Sequence, residues 1–329
     1  MKPPKVRVSR EKPTPYRTQK TPQFEIGTLM IIGGHEDRKG SMRVLEELAR
    51  LIGDRKLCVT TIASRVGEEL WQEYFHAFTR LGLKNISHLN FRGRHEANSE
   101  ASLGALEGAG AVFFTGGDQL RITSDLGGTL AEMKIRKIFH EGGIVAGTSA
   151  GASVMSNTML IAGNEGSFRV GGGLRMAPGL GFLDDVIIDQ HFMERGRWGR
   201  LLGALAHNPK YLGIGIDENT AIIVEKRETF RVVGSGCVYI ADARESDDSN
   251  ISDSDDNSAL SLFNLKNHLL SAGDHFNLLT RIPTSGRTSL REAKIIPEAI
   301  KKPAALKKIL RAEVRKILPR GKSLRPKNA

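Results

Sequence analysis

The chain has 329 residues, 40% of them apolar, enough to bury one large core or two smaller ones, and its two cysteines exclude a secreted disulfide framework. No stretch approaches the roughly 18 apolar residues of a membrane span, and Met1-Lys2-Pro3-Pro4-Lys5 lacks the apolar region of a signal peptide, so the expected location is the cytoplasm. The formal charge of +11 is confined to the ends: residues 1–26 hold seven Lys/Arg against two acids and residues 290–329 thirteen against three, which leaves a mildly acidic body and no expected nucleic-acid partner.

In chain order, residues 1–26 are rich in Pro, Lys and Arg without periodicity and read as an extended arm. From Gly27, apolar runs bounded by turn residues predict strands at Leu29–Ile32, Leu57–Ala63, Ile86–Asn90, Ala111–Thr115, Ile144–Gly147, Val186–Ile188 and Ala221–Val224. Between them, apolar residues at helical spacing predict helices within Ser41–Ile52, Gly67–Leu81, Ser99–Leu106 and Thr129–His140. This alternation predicts a doubly wound, mainly parallel sheet with helices on both faces, spanning 27–289 as one α/β domain. Cys58 and Cys237 lie in strand-like segments and read as buried thiols. Arg244–Asn257, dense in Ser, Asp and Asn, reads as a flexible loop whose acids are solvated, because no Gly stands where a calcium loop turns. Residues 290–329 read as a basic extension, partly helical over 298–318.

The pentapeptide Gly147-Thr148-Ser149-Ala150-Gly151 follows the strand at Ile144–Gly147 directly. A strand that turns at once into a helix projects its junction side chain outward, and a Cβ at 147 or 151 would collide with the turn. Ser149 is therefore either a nucleophile, with the amide of Ala150 free to donate to an oxyanion, or an ordinary helix cap. In a sheet of this class ligands meet the C-terminal strand ends, where Gly33-Gly34, Ser64, Gly116-Gly117-Asp118-Gln119 and Ser149 all fall.

A serine needs a base, and the base an orienting group. Among nine histidines, His76 and His140 lie in helical patterns, and His88, His207, His268 and His275 lack partner motifs. His191 follows the predicted strand Val186–Ile188 and the polar Asp189-Gln190, so it is expected to emerge at the strand's end, on the same edge as Ser149. Three arginines follow at 195, 197 and 200, whose planar forks suit carboxylates. The Gly-rich strand at 213–216 ends in Asp217-Glu218, and either acid could orient the imidazole; spacing does not choose. The order Ser, His, acid excludes the α/β-hydrolase arrangement. The motif G-x-G-x-x-G is absent from Gly33-Gly34, so no dinucleotide cofactor is expected.

Together, Gly33-Gly34-His35-Glu36-Asp37, Thr115-Gly116-Gly117-Asp118-Gln119, the Ser149 elbow, Asp189-Gln190-His191-Phe192 with Arg195-Gly196-Arg197, and Gly215-Ile216-Asp217-Glu218-Asn219-Thr220-Ala221 resemble the cyanophycinase and peptidase E family of serine peptidases over residues 27–240. The resemblance implies a flavodoxin-like three-layer sandwich of the class I glutamine amidotransferase type. It implies a triad of Ser149, His191 and Glu218, with an oxyanion hole from amides near Gly117 and Ala150. It carries substrate binding to Gln119, Asp189, Gln190, Arg195, Arg197 and Arg200, the arginines on aspartyl carboxylates and an acid on the substrate guanidinium. The implied activity is release of β-aspartyl-arginine from cyanophycin, a polyaspartate bearing arginine on each β-carboxyl, by a homodimer using neither metal nor cofactor. An aspartyl or isoaspartyl dipeptidase of the peptidase E type is the alternative, and a polyanion-binding protein on the same scaffold ranks below both.

Overall fold

The computed structural model describes residues 26–163, 168–170, 173–253, 255 and 257–287. The predicted arm, apart from Ile26, and the predicted 290–329 extension lie outside the described residues. The first half alternates Thr28–Ile32 (β1), Arg43–Ile52 (α1), Lys56–Thr60 (β2), Gly67–Arg80 (α2), Ile86–Leu89 (β3), Gly93–Ala97 (α3), Glu100–Ala105 (α4), Ala109–Phe114 (β4), Gln119–Leu126 (α5), Leu130–His140 (α6), Ile144–Thr148 (β5) and Ala150–Ser153 (α7). Then come Thr158–Ala162 (β6), Arg175–Pro178 (β7), Val186–Gln190 (β8), Trp198–His207 (α8), Leu212–Ile216 (β9), Thr220–Glu225 (β10), Thr229–Gly234 (β11), Val238–Asp242 (β12), Lys266–Leu270 (β13), His275–Asn277 (β14) and Ile282–Thr284 (β15).

The central sheet has the order β15-β14-β11-β10-β1-β5-β4-β2-β3. The β1-β5-β4-β2-β3 half is parallel, and β10, β11, β14 and β15 extend it antiparallel. Its strands read as unbroken apolar runs because both faces are covered. With period-2 alternation, Leu29, Ile31, Cys58, Val112, Phe114 and Val145 enter one core, and Met30, Ile32, Val59, Phe113, Ile144 and Ala146 enter the other with α1 and α2. Each fully buried Ile, Leu, Val or Phe contributes about 1.5–3 kcal/mol relative to exposure. The predicted mixed α/β architecture, with a large central sheet whose core is parallel, is the one observed.

A second sheet, β13-β12-β9-β8, was not foreseen. One of its faces, with Ile188, Ile214, Ile216 and Ile240, joins the core over the central sheet, and the other, with Ile187, Tyr239 and Ala241, packs on α8. His191 and Glu218 therefore leave a different sheet from the one that carries Ser149, which corrects the expectation of a common edge. The second sheet meets the central one around Gly33-Gly34: His191 N, just past β8, donates to Gly33 O at 2.8 Å and Asn219 N, between β9 and β10, to Gly34 O at 2.8 Å, while Gly33 N donates to Thr220 O of β10 at 2.9 Å within the central sheet. A side chain on Gly33 would overlap the Asp217 carbonyl, and one on Gly34, at φ +107°, would overlap the His191 ring. This glycine pair lies at the meeting of the two sheets.

Of the acidic 244–257 segment, the described part includes a bridge from Ser249 to Leu262 and bonds of Asn250 to Ala259 and Ser261. Cys58 is buried, with its thiol pushed up to about 11 by burial, while Cys237 is half-buried rather than buried as expected; both are free. No helix among the described residues is long and apolar enough to cross a membrane.

Candidate active site

Ser149 occupies the junction between β5 and α7 with φ 54° and ψ −110°, a conformation that L-residues rarely adopt and that turns the side chain away from the helix. Glycine is required on both sides: a Cβ on Gly147 would overlap the Gly151 carbonyl, and one on Gly151 would overlap the Phe114 carbonyl. The serine does not cap α7 through its side chain. Its Oγ lies instead 2.9 Å from Nε2 of His191. The hydroxyl thus points to an imidazole and not to the helix it precedes.

His191 follows β8, and its own backbone is left-handed at φ 46°. It is held there by its neighbour Phe192, fully buried beneath Gly215, whose missing side chain makes room for the ring. Phe192 stacks on Tyr239 at 5.3 Å and meets Trp198 at 4.9 Å, contacts of about 0.5–1.5 kcal/mol each. Nδ1 of His191 is 2.6 Å from Oε1 of Glu218. Burial, followed by the nearby Arg195 cation, outweighs the Glu218 hydrogen bond and holds the imidazole below its ordinary value. Burial pushes the Glu218 carboxyl up, but hydrogen bonds to His191 and His35 prevail and keep it below its ordinary value.

Of the two adjacent acids, Glu218 meets His191, while Asp217 turns inward to accept the amides of Met193 at 3.2 Å and Cys237 at 2.9 Å. Near the serine, the backbone of Gly116 comes close enough that a Cβ there would lie 3.8 Å from Oγ of Ser149. Gly117 follows at φ +145°, packed so tightly on the Ala63 carbonyl that no side chain fits. Ala150 opens α7, where its amide has no intrahelical acceptor.

The residues expected to bind substrate fall into two groups. Arg195 is exposed beside His191, and Gln119, half-buried at the start of α5, donates to the Leu160 carbonyl at 2.7 Å. Arg197 and Arg200 are buried. Both pair with buried Asp189, Arg200 Nε at 2.7 Å and Arg197 Nη1 at 3.3 Å, and Arg197 also donates to the Gln190 carbonyl at 2.7 Å. Of the three arginines, two thus face inward: a guanidinium taken out of water must be paired, and Asp189 is a partner for both. Gln190 reaches Ser153 Oγ at 3.4 Å with its amide, while its Oε1 is buried without a partner among the described residues.

Two residues had no role assigned from sequence. His35 places Nδ1 2.9 Å from Oε2 of Glu218, the oxygen His191 leaves unused, and its ring meets that of His191 edge-on at 5.1 Å. Glu36, buried behind the elbow, accepts from Thr148 Oγ1 at 2.5 Å and from the Tyr74 hydroxyl. Both stand at the C-terminal end of β1, so the strand-edge rule that singled out Gly33-Gly34 could have included them. Among the described residues, His35, His191 and Glu218 are grouped with donor atoms all within 4.8 Å of one another.

The model of peptidase family S51 matches residues 29–232. The chain is 37% identical over 265 residues to a cyanophycinase of Trichormus variabilis, covering 80% of this chain and 89% of that protein. It is likewise 37% identical over 257 residues to a cyanophycinase of Synechococcus elongatus, covering 77% of this chain and 80% of that protein. Among solved structures, a peptidase from an acI-B1 actinobacterium superposes with a TM-score of 0.58 at 23% identity, covering 78% of this chain and 98% of that one, a likeness of fold alone.

Proposed function

The chain belongs to peptidase family S51 and is a serine peptidase, and on that premise we propose that it hydrolyses cyanophycin to β-aspartyl-arginine through an acyl-enzyme. The observation that carries the reading is the continuous chain Ser149 Oγ, His191 Nε2, His191 Nδ1, Glu218 Oε1, with links of 2.9 and 2.6 Å. Ser149 attacks the aspartyl carbonyl as its proton passes to Nε2 of neutral His191. Glu218 keeps the other ring proton on Nδ1 and stabilises the imidazolium. The amides of Gly117 and Ala150 receive the oxyanion, and His191 then protonates the departing amine. Water, deprotonated by the same nitrogen, releases the acyl group and restores Ser149.

Exposed Arg195 is the group of its cluster open to a substrate carboxylate, and half-buried Gln119 is offered as a second polar contact. Asp189, Arg197 and Arg200 act behind them by holding Gln190 and the segment that carries His191. The same reading takes the enzyme as a cytoplasmic homodimer. Incubation of purified cyanophycin with the wild type should release β-aspartyl-arginine, and Ser149→Ala should lower the rate on the order of 10⁴-fold or more, since triad members act as a unit. Cleavage of short α-aspartyl dipeptides with an inert polymer would replace this reading with a dipeptidase of the peptidase E type.

A further inference from the structure

We propose that His35, His191 and Glu218 form a zinc site whose occupation switches the peptidase off, an inference that rests on His191 being the base. Two imidazoles and a carboxylate, with water in the fourth position, are a donor set that zinc takes readily. Glu218 already bridges the two rings, with Nδ1 of His191 2.6 Å from one oxygen and Nδ1 of His35 2.9 Å from the other. A tetrahedral ion with bonds of about 2.0–2.1 Å holds its ligands about 3.3 Å apart. Taking one oxygen of Glu218 and one nitrogen of each ring, donor atoms that lie within 4.8 Å of one another, the ion needs all three separations near about 3.3 Å, an adjustment of at most about 1.5 Å.

Access lies on the His35 side: that side chain is 69% exposed, while His191 is 3% exposed. His35 is nonetheless firmly placed. Its backbone is left-handed at φ 45°, the preceding carbonyl accepts from Asn219 N at 2.8 Å, and Asp37 N donates to Asn219 Oδ1 at 3.0 Å. The charged neighbours are mixed. Glu194, which accepts the Glu218 amide at 3.2 Å, and Asp217 favour a dication, and Arg195 opposes it.

The consequence for catalysis follows from the tautomer. Glu218 normally holds the ring proton on Nδ1 of His191, leaving Nε2 to accept from Ser149. A metal on Nδ1 requires that position bare, so the proton leaves Nδ1 and one is taken up at Nε2, with no net change in proton count. Nε2 then faces Ser149 as a donor and cannot receive its proton. The ion also takes the carboxylate that would stabilise the imidazolium.

The test uses full-length protein freed of any purification tag, zinc ion as the probe, and two readouts: competition with a chromophoric chelator for binding, and peptide release from cyanophycin for activity. Expected are one competed zinc per chain, inhibition that follows occupancy, and recovery on adding EDTA. His35→Ala and His35→Gln should weaken binding, and raise the zinc concentration for half-inhibition, by at least about 10–100-fold. Ser149→Ala, which removes no ligand, should bind zinc as the wild type does. Wild-type affinity retained in both His35 variants, or lost in Ser149→Ala, would overturn the site. The chelator readout is independent of turnover, so a fully active Ser149→Ala protein would instead overturn the catalytic assignment.

Discussion

Thr148 donates a 2.5 Å hydrogen bond to Glu36 from the position immediately before Ser149, tying the strained elbow to a carboxylate at the end of a neighbouring strand. Glu36 also accepts the Tyr74 hydroxyl, whose proton is retained because burial and the adjacent carboxylate push the phenol up. Thr148→Val keeps the shape of the side chain but leaves a buried oxygen short of a partner, a loss of about 1–3 kcal/mol. Calorimetry should show a lower Tm, and kcat should fall more than KM rises as Ser149 loses its fixed direction. Unchanged Tm and kcat would remove Glu36 from the support of the elbow.

Gly34→Ala tests the bolt between the sheets. The added methyl group would overlap the His191 ring at a backbone angle that favours glycine, so both conformational strain and displacement of the imidazole are expected. Stability should drop by about 1–3 kcal/mol, with a larger loss in kcat. A crystal structure of the variant should show His191 moved from Ser149.

The pH profile follows from the direction of the His191 shift. Because burial and Arg195 disfavour the imidazolium, the neutral base persists below the ordinary value of 6.5, and the acid limb of kcat/KM should lie below that value. Arg195→Ala removes a repelling cation, which raises the imidazole and moves the limb to higher pH. An acid limb that shifts downward in Arg195→Ala would contradict this electrostatic account. The same variant should raise KM with little change in Tm, since Arg195 is exposed.

Asp189→Asn should behave in the opposite way. It leaves two buried guanidiniums without their counter-charge, a loss of about 3–5 kcal/mol. Denaturant unfolding should reveal that loss even without substrate. Full stability with a raised KM would return Arg197 and Arg200 to direct substrate contact.

Stability itself should depend on imidazole titration. His88, His191 and His268 are all held below the ordinary value, chiefly by burial, so the unfolded chain binds protons more readily between 6.5 and the lowered folded values. Their contribution is complete above 6.5 and is lost as pH falls through that window. Chemical denaturation across the window should show stability rising with pH.

What the sequence determined by itself was local: the alternation of strands and helices, and the serine between glycines that no helix or strand interior would tolerate. These follow from periodicity and from steric exclusion within a few residues, which the order of side chains records directly. Tertiary structure decided the rest. Asp217 and Glu218 are neighbours on the chain, yet one turns inward to backbone amides and the other meets His191. No spacing rule separates adjacent residues whose side chains point apart. The division among the arginines likewise depends on the single buried carboxylate that faces two of them, and His35 gains its role only because a second sheet brings Glu218 to the end of β1. Elbow and fold class are properties of neighbours along the chain, whereas Ser149, His191, Glu218 and His35 are partners only across the seam between two sheets.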